Sequence, residues 1–100
     1  MKAFNSFKEF YPYYLNEHSN KTCRQLHFVG SSLVLVLMVL GFLTSKTGYF
    51  FMMPIAGYGF AWVGHFFFEQ NKPATFKYPL YSLIGDWKMF FQMLNGKVKF

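Results

Sequence analysis

The sequence predicts an all-α integral membrane protein: a two-span antiparallel helical hairpin with an N-terminal aromatic segment and a C-terminal amphipathic helix. Three observations carry that expectation. The 100-residue chain is 53% hydrophobic and only 14% charged, so a domain this small lacks the polar surface to cover itself in water. Its two longest uncharged runs extend from Gln25 to Ser45 and from Thr47 to Phe68. Each can cross a hydrocarbon core of about 30 Å as a helix rising about 1.5 Å per residue. The basic residues flank these runs instead of clustering beside a soluble fold, which is the pattern of a membrane protein and not of a nucleic-acid binder. Disorder, a charged coiled coil and an ordinary soluble enzyme are poor fits to the same composition.

In chain order, residues 1–22 form a cytoplasmic or interfacial segment. Phe4, Phe7, Tyr11, Tyr14 and Leu15 recur there near helical spacing, but Pro12 should kink or end such a helix. Thr22 with Gln25 makes a capping box that starts the first span, 23–45, near Cys23. Only Lys46 and its neighbours separate it from the second span, 47–69, so the two must turn back tightly. Neither run resembles a cleaved signal peptide, since the first follows a polar and aromatic segment and no small-residue cleavage site comes after it. From Pro79, the residues Leu80, Leu83, Ile84, Trp87, Phe91 and Leu94 follow helical periodicity, while Ser82, Asp86, Lys88 and Gln92 take mostly other faces. Residues 79–95 therefore read as an amphipathic helix in the interface or under the hairpin.

Charge sets the orientation. Lys2, Lys8, Lys21 and Arg24 precede the first span, Lys46 lies at the tip, and Lys72, Lys77, Lys88, Lys97 and Lys99 follow the second. The positive-inside tendency places both termini in the cytoplasm, in a bacterial inner membrane, or in the endoplasmic reticulum if the source is eukaryotic. The single cysteine, Cys23, allows neither an intramolecular disulfide nor a cysteine-built zinc site.

The scarce ionisable groups are the candidates for chemistry. His27 lies 19 residues before Lys46 and His65 lies 19 after it, so a hairpin turning at Lys46 puts both at one depth. His18, on the loop before the first span, lies on the same side and can fold over them. Glu69 shares a helical face with His65, and Gly57, Ala61 and Gly64 form a small-residue stripe that turns this helix toward a neighbour. Imidazoles, with or without a carboxylate, suit iron, zinc, copper or nickel and disfavour calcium and magnesium. The plainer alternatives are that the histidines are polar anchors at the interface and that Glu69 pairs with Lys72 or His65. Asp86 reads as structural, paired with Lys88 or Arg24. On the residues alone two classes stay open: a metal-dependent membrane enzyme, or a non-enzymatic membrane protein that binds lipid or haem or supports a larger complex. So few spans bury little helix surface, which is compatible with a homodimer.

The segments YYLNEHSNKTCRQLHFVG (Tyr13 to Gly30) and GYGFAWVGHFFFEQNKPATFKYPLYSLIGDWKMF (Gly57 to Phe90) resemble a family of small membrane proteins that includes the yeast endoplasmic-reticulum 2-hydroxy fatty acid dioxygenase. The most specific part is VGHFFFEQNKPA, where Gly64, His65, Phe68, Glu69, Pro73 and Ala74 match the family pattern; the first motif matches through His18, Asn20 and His27. The resemblance implies an iron(II)-dependent dioxygenase of fatty acid α-oxidation, shortening a 2-hydroxy acid by one carbon with loss of carbon dioxide. It makes His18, His27 and His65 the expected Fe(2+) ligands. Glu69 becomes the expected catalytic carboxylate, as a ligand or as the group that orients one of the histidines. The implied partners are a fatty-acid or other lipid substrate and the membrane, with no nucleic acid.

Overall fold

The computed structural model describes residues 4–71 and 76–100. Lys2 and Lys72 of the charge count, and Pro73 and Ala74 of the matched motif, lie outside the described residues. Among the described residues the protein is all-helical, without strands. The helices are α1 (Phe7–Asn16), α2 (Lys21–Thr44), α3 (Gly48–Val63) and α4 (Pro79–Leu94), and a π-helical turn, Gly64–Glu69, continues α3.

Two of these are long and apolar enough to cross a membrane by length and composition: the 24 residues of α2, and the 22 of α3 with its π-helical turn. At about 1.5 Å per residue they reach about 36 and 33 Å. They approach closely because glycines remove side chains from the contact. An ideal Cβ on Gly41 would fall 2.6 Å from the Phe50 ring, one on Gly30 3.0 Å from Phe60 Cβ, and one on Gly64 2.9 Å from Cys23 Sγ. These contacts step forward along α2 as they step backward along α3, so the helices run side by side in opposite chain directions.

The start of α2 corrects the expected capping box. Asn20 is the cap, its side-chain oxygen accepting the Cys23 N–H at 3.1 Å, and the helix begins at Lys21. Asn20, in place of Thr22, caps a free first-turn donor, the Cys23 N–H, so the turn forms two residues earlier. Its amide nitrogen also donates to Phe68 O at 3.3 Å, tying the start of α2 to the π-helical turn.

Pro12 does not end α1, which runs through it. Pro12 is exposed, while Phe10, Tyr11 and Tyr14 are buried against Met89 and Met93 of α4. Each large side chain so buried contributes about 1.5–3 kcal/mol, enough together to offset the about 3 kcal/mol that a mid-helix proline costs. On α4 the face turned to the protein is Ser82, Gly85, Met89, Phe90 and Met93. The periodic stripe of the sequence looks mostly outward, with Leu80 67% and Leu94 59% exposed. Both stripes are apolar, and periodicity alone does not tell which one packs on α1.

Candidate metal centre

His18 follows α1 in the connecting loop, His27 lies on the second turn of α2, and His65 opens the π-helical turn after α3. The structure brings all three together. His18 and His65 are each 1% exposed and His27 6%, a degree of burial that polar side chains tolerate only when satisfied. His18 Nε2 lies 3.0 Å from His27 Nε2 and 2.9 Å from His65 Nε2. The rings meet edge to face, with centroids 4.4, 4.4 and 5.0 Å apart.

The partners on the far side of each ring fix the tautomers. His18 Nδ1 is 2.6 Å from Tyr14 O and His27 Nδ1 is 3.0 Å from Cys23 O. Carbonyl oxygens only accept, so both Nδ1 atoms carry the proton. His65 Nδ1 lies 2.7 Å from Asn71 Oδ1. The Asn71 amide is oriented by its own nitrogen, which donates to Glu17 O at 3.2 Å and to Glu17 Oε2 at 3.4 Å. With each proton on Nδ1, the three Nε2 lone pairs point at one another. Neutral acceptors in contact repel, and no proton is left to bridge them. A cation among them would resolve the conflict. The three ligand nitrogens lie within 4.8 Å of one another, close enough for one ion to be shared among them. The donor set is therefore a fit for a transition-metal ion of the iron, zinc, copper or nickel group.

Burial, with the two neighbouring imidazoles, holds His18 well below the usual histidine range, in the neutral form that a ligand requires. Tyr14 stacks on it at 4.1 Å. Gly85 permits that stack, because a Cβ there would stand 3.1 Å from the Tyr14 ring. The Tyr14 hydroxyl donates to Asp86; burial pushes that hydroxyl well above its ordinary value of 10.0, so it keeps the proton it donates. This is a correction to the expected pairing of Asp86. Arg24 instead donates to His18 O at 3.0 Å and Ser19 O at 2.8 Å, and Lys88 lies over the rings of Tyr11 and Phe7 at 4.3 and 5.4 Å.

Glu69 stands beside the loop that carries His18. Its carboxylate accepts from the Asn20 N–H and, at 3.4 Å, from Ser19 Oγ. Asn71 and Tyr14 are the residues that sequence reasoning missed. Asn71 sits six positions beyond His65, an offset that no α-helical rule pairs. The π-helical turn, a distortion frequent at functional sites, makes the pairing possible. The only sequence signal was its place inside the segment VGHFFFEQNKPA.

Beside the cluster lies a cavity of about 360 Å³ between α2, α3 and α4, with His27 on its wall. Across residues 4–98 the chain matches the family model described as 2-hydroxy-palmitic acid dioxygenase Mpo1-like. No curated protein and no solved structure matches it.

Proposed function

The chain belongs to the 2-hydroxy-palmitic acid dioxygenase Mpo1-like family, and from that membership we propose that it is a membrane-embedded, iron(II)-dependent dioxygenase of 2-hydroxy fatty acids. The observation that carries the reading is the convergence of three buried, unprotonated Nε2 atoms. The net reaction joins one 2-hydroxy acid and one dioxygen to give an acid one carbon shorter, carbon dioxide and water. Iron(II), when bound, supplies the electron transfer that dioxygen chemistry needs and a positive centre for the substrate's hydroxyl and carboxylate.

The protein's own groups do the rest. His18, His27 and His65 hold the ion, and Tyr14, Cys23 and Asn71 keep their Nδ1 protons engaged so that each Nε2 stays aimed inward. Burial of the rings keeps bulk water from the reacting centre. Glu69 is a positioning residue, holding the loop of His18 against the π-helical turn through Asn20 and Ser19. Asp86, on the cavity wall, offers an acceptor oriented by Tyr14.

In this reading spans 23–45 and 47–69 cross the membrane as an antiparallel hairpin with both ends cytoplasmic. Support comes from how little of the two helices is covered: only 17% and 11% of their most apolar windows are buried, whereas a soluble core helix is mostly buried. Phe42, Leu43, Phe51 and Ile55 all look outward.

The test is metal analysis of protein purified anaerobically under reducing conditions, in wild type and His65→Ala. The expected result is one iron per chain in the wild type and its loss in the variant, with iron-dependent shortening of 2-hydroxy palmitate by the wild type only. Wild-type protein without stoichiometric iron, or iron-loaded protein without a shortened product, would overturn the assignment in favour of a non-enzymatic lipid-binding role.

A further inference from the structure

The cavity beside the cluster has a direction. Its volume of about 360 Å³ falls in the range of small-molecule sites. The polar end is defined by His27, whose Nε2 belongs to the cluster, and by Ser31 one helical turn further along α2. Asp86 of α4, which accepts from the Tyr14 hydroxyl, is a further polar group on the wall. The rest is mostly apolar: Val34 from α2, Met53 and Gly57 from α3, and Leu83 and Trp87 from α4. Phe50 lines the far part. Its ring is wedged against Gly41, where a Cβ would fall within 2.6 Å of it, and it meets the Phe42 ring edge to face at 5.0 Å.

The floor is open because Gly57 has no side chain. A Cβ added there would meet Val34 Cγ2 at 3.3 Å, so any larger side chain would enter the space between the helices. Along α3 the lining runs from Ala61 to Phe50, a rise of about 16 Å at about 1.5 Å per residue. That is close to half of a hydrocarbon core of about 30 Å, the depth that the chain of one lipid leaflet fills.

We propose that this cavity seats the acyl chain of the substrate, with the polar head at His27 and the methyl end at Phe50, and that Phe50 sets the longest chain accepted. The proposal rests on the reading of the cluster as the reacting centre and adds to it where the rest of the substrate lies. A free 2-hydroxy acid and the acyl chain of a bilayer phospholipid share the chemistry that fits this space, so the test must separate them.

Trp87 lines the cavity and the other tryptophan, Trp62, does not, so a Trp62→Phe background leaves one reporter. The probe is a long-chain 2-hydroxy acid brominated along its chain, added to metal-free protein in detergent micelles, with fluorescence quenching as the readout. The expected result is saturable quenching of Trp87 that unlabelled 2-hydroxy acid reverses and that a brominated phospholipid at equal bromine content does not reproduce. Gly57→Leu should abolish the saturable component or weaken it by about fourfold per methylene excluded. Phe50→Ala should shift the preferred acid to longer chains, in binding and in turnover alike.

Equal quenching by phospholipid without competition by the free acid would overturn the proposal. So would unchanged chain-length preference in a folded Phe50→Ala protein. Because the quenching arm needs neither iron nor turnover, the two readings fail separately. Saturable quenching together with a wild type that carries no stoichiometric iron after anaerobic purification would sink the dioxygenase and leave an acyl-chain site; turnover without quenching would do the reverse.

Discussion

Replacing Asp86 with asparagine should stabilise the protein at neutral pH and remove one component of its pH dependence. Burial raises the Asp86 carboxyl from 3.8 to about 6, against the opposing hydrogen bond from Tyr14. The folded protein therefore holds this proton at pH values where the unfolded chain has released it. Stability falls as pH rises from about 4 to about 6 and stays lower above that. At about 1.4 kcal/mol per pKa unit the displacement is worth about 3 kcal/mol. An amide is neutral throughout and still accepts from Tyr14, through a bond weaker by about 1 kcal/mol, so the net gain above neutrality is about 2 kcal/mol. His18 acts in the opposite sense. Kept neutral by burial, it costs stability as pH falls below about 6.5, but it does so in both proteins and cancels in their difference. The assay is chemical denaturation in micelles, in pH steps across the range from acid to neutral. A difference between wild type and Asp86→Asn that is flat with pH would refute the reasoning, as would a variant less stable at neutral pH, because either would place the carboxyl in water.

Three further outcomes follow from the contacts around the cluster. Asn71→Ala removes the acceptor of His65 Nδ1 and should weaken metal binding about 10–100-fold with the helical content unchanged, as read by metal titration with circular dichroism in parallel. Gly64→Val places a branched side chain where even a Cβ meets Cys23 Sγ at 2.9 Å; parting α2 from α3 should cost about 1–3 kcal/mol in thermal denaturation. Glu69→Gln weakens the bond to the Asn20 N–H by about 1 kcal/mol, visible as about fivefold faster hydrogen exchange at that amide.

The pairing of His27 with His65 was legible because two helices that run back from a short turn place residues at equal distance from it side by side. That rule needs only counting. The role of Asn71 was hidden because it depends on a π-helical turn, and the residues Gly64–Glu69 carry no composition that separates such a turn from ordinary helix. The Tyr14–Asp86 bond joins groups 72 residues apart, and no local pattern selects that partner over the nearby Lys88. The inward face of α4 was ambiguous for a different reason: Met89, Phe90 and Met93 form a second apolar stripe, and the choice between stripes is made by the rings of α1. The site's existence thus follows from helix geometry and its support from tertiary packing.

The cluster draws its nitrogens from three separate stretches of chain, and His18 and His65 are 47 residues apart. An ion held there would act as a cross-link: it would close a loop of that length between the segment that follows α1 and the π-helical turn that continues α3. Without it, α1 and its loop are held by aromatic packing on α4 and by the hydrogen bonds of Glu69, Asn71 and Arg24. With free ion at about 100 times its dissociation constant, linkage adds about 2.7 kcal/mol to the folded state. In a chain this short that is a substantial fraction of the stability of a typical small domain. Chelation of such an ion would then loosen the N-terminal segment before it disturbs the long helices, and its supply would govern how long the folded chain persists.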